Sequence, residues 1–285
     1  MTGGAATFDD RICHLGEGPL WHPTRKQLFW FDINAKQLLS QSDRGQHLWQ
    51  FAEHVSAAGW VDDHHLLIAS ETALFQFNIE TAQRHDLMPL ETDNPVTRSN
   101  DGRADPWGGF WIGTMGKSAE HGAGSIYRYY QGALRKLVGD ITISNAICFS
   151  PDRRFAYYAD TPTRQIMRQT LDRDGWPVGR AEVFVDMTAD ALNPDGAVVD
   201  AQGYLWSAQW GAAQVTRYAP DGNVDQVIRL PAQQPSCPAF GGPDLTTLFV
   251  TSATQSLAQP SASDGTVQSI ATACVGQLEH QVILS

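Results

Sequence analysis

The chain has 285 residues, 31 acidic against 20 basic side chains and a formal net charge of −11, with 18% charged and 10% aromatic residues. The charge is spread without a basic run, which excludes a phosphate-neutralising surface, so nucleic acid is not an expected partner. No stretch approaches about 18 uninterrupted apolar residues, and MTGGAATFDDRICHLGEG lacks a basic-then-apolar leader, so a soluble, cytoplasmic protein with no membrane partner is expected.

Along the chain, a short apolar run, an Asp/Pro/Gly-rich turn and a second run with a central large residue recur. The units are PTRKQLFWFDI (23–33), DDHHLLIASE (62–71), DPWGGFWIGTM (105–115), PDRRFAYYADT (151–161), DAQGYLWSAQW (200–210) and PDLTTLFVTSA (243–253). Their central residues, Trp30, Leu67, Trp111, Tyr157, Trp206 and Phe249, stand 37 to 49 positions apart, the period of a four-stranded propeller blade. Two further β-like runs follow, as in GSIYRYYQG then LRKLVGD. The expected fold is all-β: one domain over residues 1–285, a six-bladed β-propeller of four-stranded antiparallel blades. Six units account for the chain from Glu17 to its end, and Ala6–Cys13 supplies an outer strand that closes the ring. Closure removes exposed sheet edges. SATQSLAQPSASDG (252–265) reads as a long surface loop.

The starts of the innermost strands meet at one mouth of such a ring. They read GEGPLW, SNDGRA, SNAICF and NPDGAVV and contribute Glu17, Asn100, Asn145 and Asp195; HVSAAGW of unit two and PSCPAFGG of unit six offer no carboxylate. Each motif alone is a turn former. In phase with the repeat, they gather two carboxylates and two amides, an oxygen set suited to a hard divalent cation.

LGEGPLWHPTRKQLFWFDI, RSNDGRADPWGGFWIGTM, ISNAICFSPDRRFAYYADT and NPDGAVVDAQGYLWSAQWG resemble successive blocks of the SMP-30/gluconolactonase/regucalcin-like family, over about Leu15 to Leu248. The resemblance implies a metal-dependent lactonase with one divalent ion on Glu17, Asn145 and Asp195, Ca²⁺ first and Zn²⁺, Mn²⁺, Mg²⁺ or Fe²⁺ as alternatives. It implies substrate binding by Arg98 and Asn100, with Asp101 beside them. Where regucalcin-type members carry a further substrate-contacting Glu, this chain has Lys117 and Ser118, with Glu120 nearby.

The expected reaction is hydrolysis of an aldonolactone (gluconolactone, galactonolactone, arabinonolactone or xylonolactone) to the free acid, by a monomer acting on a small-molecule sugar lactone. Asp195 is the expected general base. The alternatives are an esterase or phosphotriesterase on the same scaffold, or a non-catalytic calcium-binding propeller. Asp172-Arg-Asp174-Gly reads as a hairpin turn, since no Glu follows at calcium-loop spacing. The four cysteines lack CxxC spacing, and no histidine-zinc or G-x-S-x-G motif occurs. Trp21, Trp60 and Trp210 are candidates to flank the sugar.

Overall fold

The computed structural model describes residues 4–43 and 45–284. It consists of six four-stranded antiparallel sheets, each formed by strands consecutive in sequence except the last. The inner strands are Gly16–His22, Val55–Trp60, Thr97–Ala104, Ser144–Phe149, Asn193–Val199 and Pro235–Gly241, one per blade. Each packs on the next, and the sixth packs back on the first, so the six blades form a propeller. The short 3₁₀ turn Thr161–Thr163 is the only helix among the described residues, and none is long and apolar enough to cross a membrane.

The repeat has a packing cause. Trp30, Trp111 and Trp206 lie on the second strands and are fully buried. Trp111 meets Phe149 of the following blade edge-on at 5.4 Å, and Trp206 meets Phe240 at 5.5 Å, so one blade's central aromatic fills the next blade's inner face. In blades three and five the Asp that opens the turn is also structural. Asp200 Oδ1 accepts the turn N–H groups of Gln202 and Tyr204, while Oδ2 accepts from Trp206 Nε1 and from Arg217, which stands opposite Trp206 in the register. Asp105 does the same in blade three, Oδ1 accepting from the Trp107 and Gly109 N–H groups and Oδ2 from Arg128, which stands opposite Trp111; the Trp111 indole N–H takes no part. The Asp172 turn is such a hairpin, its Oδ1 accepting from the N–H groups of Asp174 and Trp176.

Blade six is completed by the chain's beginning: Ala6–Asp9 pairs antiparallel with Val267–Ala271, as the leftover leading segment implied. The end of the chain departs from expectation. The last strand stops at Ala271, and the tail beyond it crosses the mouth where the inner strands end. Gly276 bridges Asp200, Gln277 Nε2 donates to Phe149 O and Val199 O, Trp60 Nε1 donates to Glu279 O, and Ile283 N donates to Gly108 O. Backbone groups freed at the strand ends are satisfied by the tail rather than by a further strand.

Candidate active site

All six inner strands bulge where they enter the channel, placing one more residue than the partner strand between paired positions. The bulges fall between Glu17 and Leu20, Val55 and Ala57, Ser99 and Gly102, Asn145 and Cys148, Pro194 and Ala197, and Pro235 and Pro238. A bulge re-aims side chains, so the residues inside it leave the alternation of the strand. Gly18 follows Glu17 at φ 53°, and a Cβ there would lie 2.3 Å from Ser56 O. Only glycine lets blade two come that close behind Glu17.

Glu17, Arg98, Asn100, Asn145 and Asp195 all line one pocket at the mouth where the inner strands start, a cavity of about 180 Å³. All five are buried. Glu17 Oε2 accepts from Gly18 N at 3.0 Å. The Glu17 and Asp195 carboxyl groups act on each other electrostatically. Burial, then the charge of Asp101, pushes Glu17 up to about 8; burial, then the charge of Glu17, pushes Asp195 well above the carboxylate range. Burial likewise draws Arg98 down to about 10, against the pull of Glu17, Glu71 and Asp195.

The amides form a chain between blades. Arg98 Nη1 donates to Asn100 Oδ1 at 2.7 Å, and Asn100 Nδ2 donates to Ser144 O at 2.8 Å and to Asn145 Oδ1 at 3.2 Å. Asn145 Nδ2 donates to Thr161 Oγ1, which donates to Pro194 O, each at 2.8 Å. Asp101 stands outside the pocket lining: its Oδ2 accepts from Ile147 N at 2.7 Å, which ties the bulges of blades three and four together behind the amides.

The donor set fits a hard cation. Two buried carboxyl groups facing each other require either a shared proton or a positive charge, and every candidate ligand atom is oxygen. Among the described residues no group of three or more His, Cys, Asp or Glu side chains could hold a metal, so an amide is needed to complete the set. Blade two, without a carboxylate, contributes Ser56, whose Oγ donates to Asn100 O at 2.6 Å.

Sequence reasoning did not assign Thr161, Met115, Gln255 or Ser256 to the pocket, yet all line it. Gln255 and Ser256 belong to the 252–265 segment, which is therefore part of the pocket wall. Of the three Trp candidates only Trp210 lines the pocket; Trp21 stacks on Phe249, and Trp60 binds the tail at the far mouth. Lys117 pairs with Glu71 at 2.6 Å, and Ser118 N donates to Glu120 at 3.1 Å, so that stretch folds on itself outside the pocket lining.

The SMP-30/gluconolactonase/LRE-like region matches residues 15–254. The 6-deoxy-6-sulfogluconolactonase of Pseudomonas putida is 35% identical, over 84% of this chain and 83% of its own. The L-arabinolactonase of Azospirillum brasilense is 34% identical, over 92% and 88%. The crystal structure of a calcium-binding protein, regucalcin, from Agrobacterium tumefaciens superposes with a TM-score of 0.95 at 39% identity, covering 99% of this chain and 98% of that one.

Proposed function

The chain belongs to the SMP-30/gluconolactonase/LRE-like family, and on that premise we propose that it hydrolyses the lactone of a sugar acid to the free aldonic acid. One observation carries the reading. Two buried carboxyl groups from blades one and five line the same pocket as the Asn145 amide and a buried guanidinium. The lactonase names of relatives and the calcium-binding title of a near structural match support it.

Glu17, Asn145 and Asp195 would hold one divalent cation, Ca²⁺ first in view of the calcium-binding title of the regucalcin match, with Zn²⁺, Mn²⁺, Mg²⁺ or Fe²⁺ as alternatives. A bound cation polarises an ester carbonyl and lowers the pKa of water. The chain's own groups do the rest. Arg98 and Asn100 bind ring hydroxyls through charge-assisted and amide hydrogen bonds. Asp195, which has a second carboxylate oxygen beside the one a ligand needs, takes the proton of the attacking water. Water oxygen bonds to the carbonyl carbon, the ring C–O bond breaks, and the proton passes to the departing ring oxygen. The product is the open-chain hydroxy acid.

Rates on five- and six-carbon aldonolactones, measured after chelation and re-addition of each cation, test this. Turnover should fall on chelation, recover with one cation and be lost in Asp195→Asn. Hydrolysis of aryl esters or phosphotriesters alone, or an Asp195→Ala protein with wild-type lactonase activity, would overturn it.

A further inference from the structure

The amide chain across blades three, four and five has a direction. At one end stands Arg98, which can only donate. At the other stands Pro194 O, which can only accept. Thr161 has one hydroxyl proton and directs it to Pro194 O at 2.8 Å, so toward Asn145 the hydroxyl can only accept. The Asn145 atom facing it is therefore Nδ2, at 2.8 Å, and Oδ1 must turn the other way, toward Asn100 Nδ2. Asn100 is fixed independently, between the Arg98 donor and the Ser144 carbonyl. An amide's two ends differ little in shape, so polarity of this kind is what selects one flip over the other.

Thr161 itself is held firmly. It opens the 3₁₀ turn that follows the second strand of blade four, its N–H donates to Ile143 O at 3.0 Å, and Asp160 Oδ1 accepts from the N–H groups of Thr142 and Ile143.

We infer that Thr161 is a positioning residue for the cation site: its hydroxyl holds Nδ2 of Asn145 and so leaves Oδ1, not an NH₂ group, to a cation shared with Glu17 and Asp195. The inference rests on the proposed cation site and adds a residue from outside the inner strands to it. Without the hydroxyl, Pro194 O and Asn145 Nδ2 both lose a partner, and Asn100 Nδ2 alone is left to hold the orientation of the amide. Partners that orient a ligand in this way commonly govern affinity by about 10- to 100-fold.

The test is calcium affinity by titration calorimetry, with folding followed by circular dichroism and Tm. Thr161→Val should raise the Kd about 10- to 100-fold, and Thr161→Ser should restore it to within a few-fold of wild type. A carboxylate has no flip to set, so in an Asn145→Asp background Thr161→Val should change the Kd little. That last result would not follow from a merely structural role. Should Thr161→Val fail to fold, Thr161→Ala takes its place in the same cycle. A Thr161→Val protein with wild-type affinity, beside Asn145→Ala and Glu17→Gln proteins that have lost it, overturns the inference and leaves the cation site standing. Wild-type affinity in Asn145→Ala and Glu17→Gln as well overturns the site itself. Equal effects of Thr161→Val in both backgrounds also overturn the role in orientation.

Discussion

Arg103, on the inner strand of blade three, forms an ion pair with Glu279 of the C-terminal tail, at the mouth opposite the pocket. Both side chains are at least nine-tenths buried. The pair fastens a segment that also bonds blades two, four and five, so the ring is closed twice. One closure is the strand exchange in blade six; the other is a strap across its far end.

Glu279→Ala should therefore destabilise the whole ring, because it leaves Arg103 buried without its counter-charge. Breaking a buried pair from one side costs about 3–5 kcal/mol, which for a chain of this size lowers Tm by roughly 5–8 °C. Replacing both partners by apolar residues should cost less. Differential scanning calorimetry checks this, and an unchanged Tm in Glu279→Ala would contradict it.

Glu71 predicts an acid limb in stability. Burial works to raise its pKa, but Lys117 and His54 outweigh burial and hold it down to about 2 from an ordinary 4.5. A carboxyl group with a depressed folded pKa stabilises the protein fully above its unfolded value and loses that contribution as pH falls through the folded one. The Tm advantage of wild type over Glu71→Gln should accordingly be complete above about pH 5 and shrink steadily toward about pH 2. A pH-independent difference between the two proteins would refute it.

Trp210 is the one Trp candidate that reaches the pocket. Aromatic pairs contribute about 0.5–1.5 kcal/mol beyond their buried area, and a sugar ring laid on the indole face is taken to gain a similar amount. Trp210→Ala should therefore raise KM for the best lactone by up to roughly tenfold, while Trp210→Phe should retain most of the affinity. Steady-state kinetics decide; equal KM values in all three proteins would remove Trp210 from substrate binding.

Gly196 follows Asp195, and a Cβ added there would lie 2.3 Å from Cys237 Sγ and 2.8 Å from Cys237 Cα. Backbone as well as side chain would have to move, so Gly196→Ala should cost about 1–3 kcal/mol or more and weaken cation binding through Asp195. Thermal melts and calorimetric titration of the same preparation give both readouts. A variant as stable as wild type would mean that blades five and six can part without cost.

Much of this was legible in the residues. The turn-forming Asp, Pro and Gly residues and the large side chain a few positions later recur because each blade needs the same hairpin and the same inter-blade filler. Trp30, Trp111 and Trp206 therefore marked the second strands directly. Glu17, Asn100, Asn145 and Asp195 were readable because each sits 11 to 13 positions before the central large residue of its blade. The tail was not readable as a strap. Beyond Ala271 it has no strand of its own, and its contacts are to carbonyls and strand ends contributed by five blades. Asp101 shared its motif with Asn100, yet within a bulge adjacent side chains can be aimed at different partners, and its carboxylate went to Ile147 N.

By itself, then, the sequence determined the repeat, the number of blades and which residues stand at the channel entrance, because turns and buried strands are local matters of conformation and hydrophobic pattern. Only the tertiary structure decided what those residues face. The direction of an amide such as Asn145, the role of Thr161 and the course of the tail each depend on donors and acceptors from other blades, and these become neighbours only when the ring has closed.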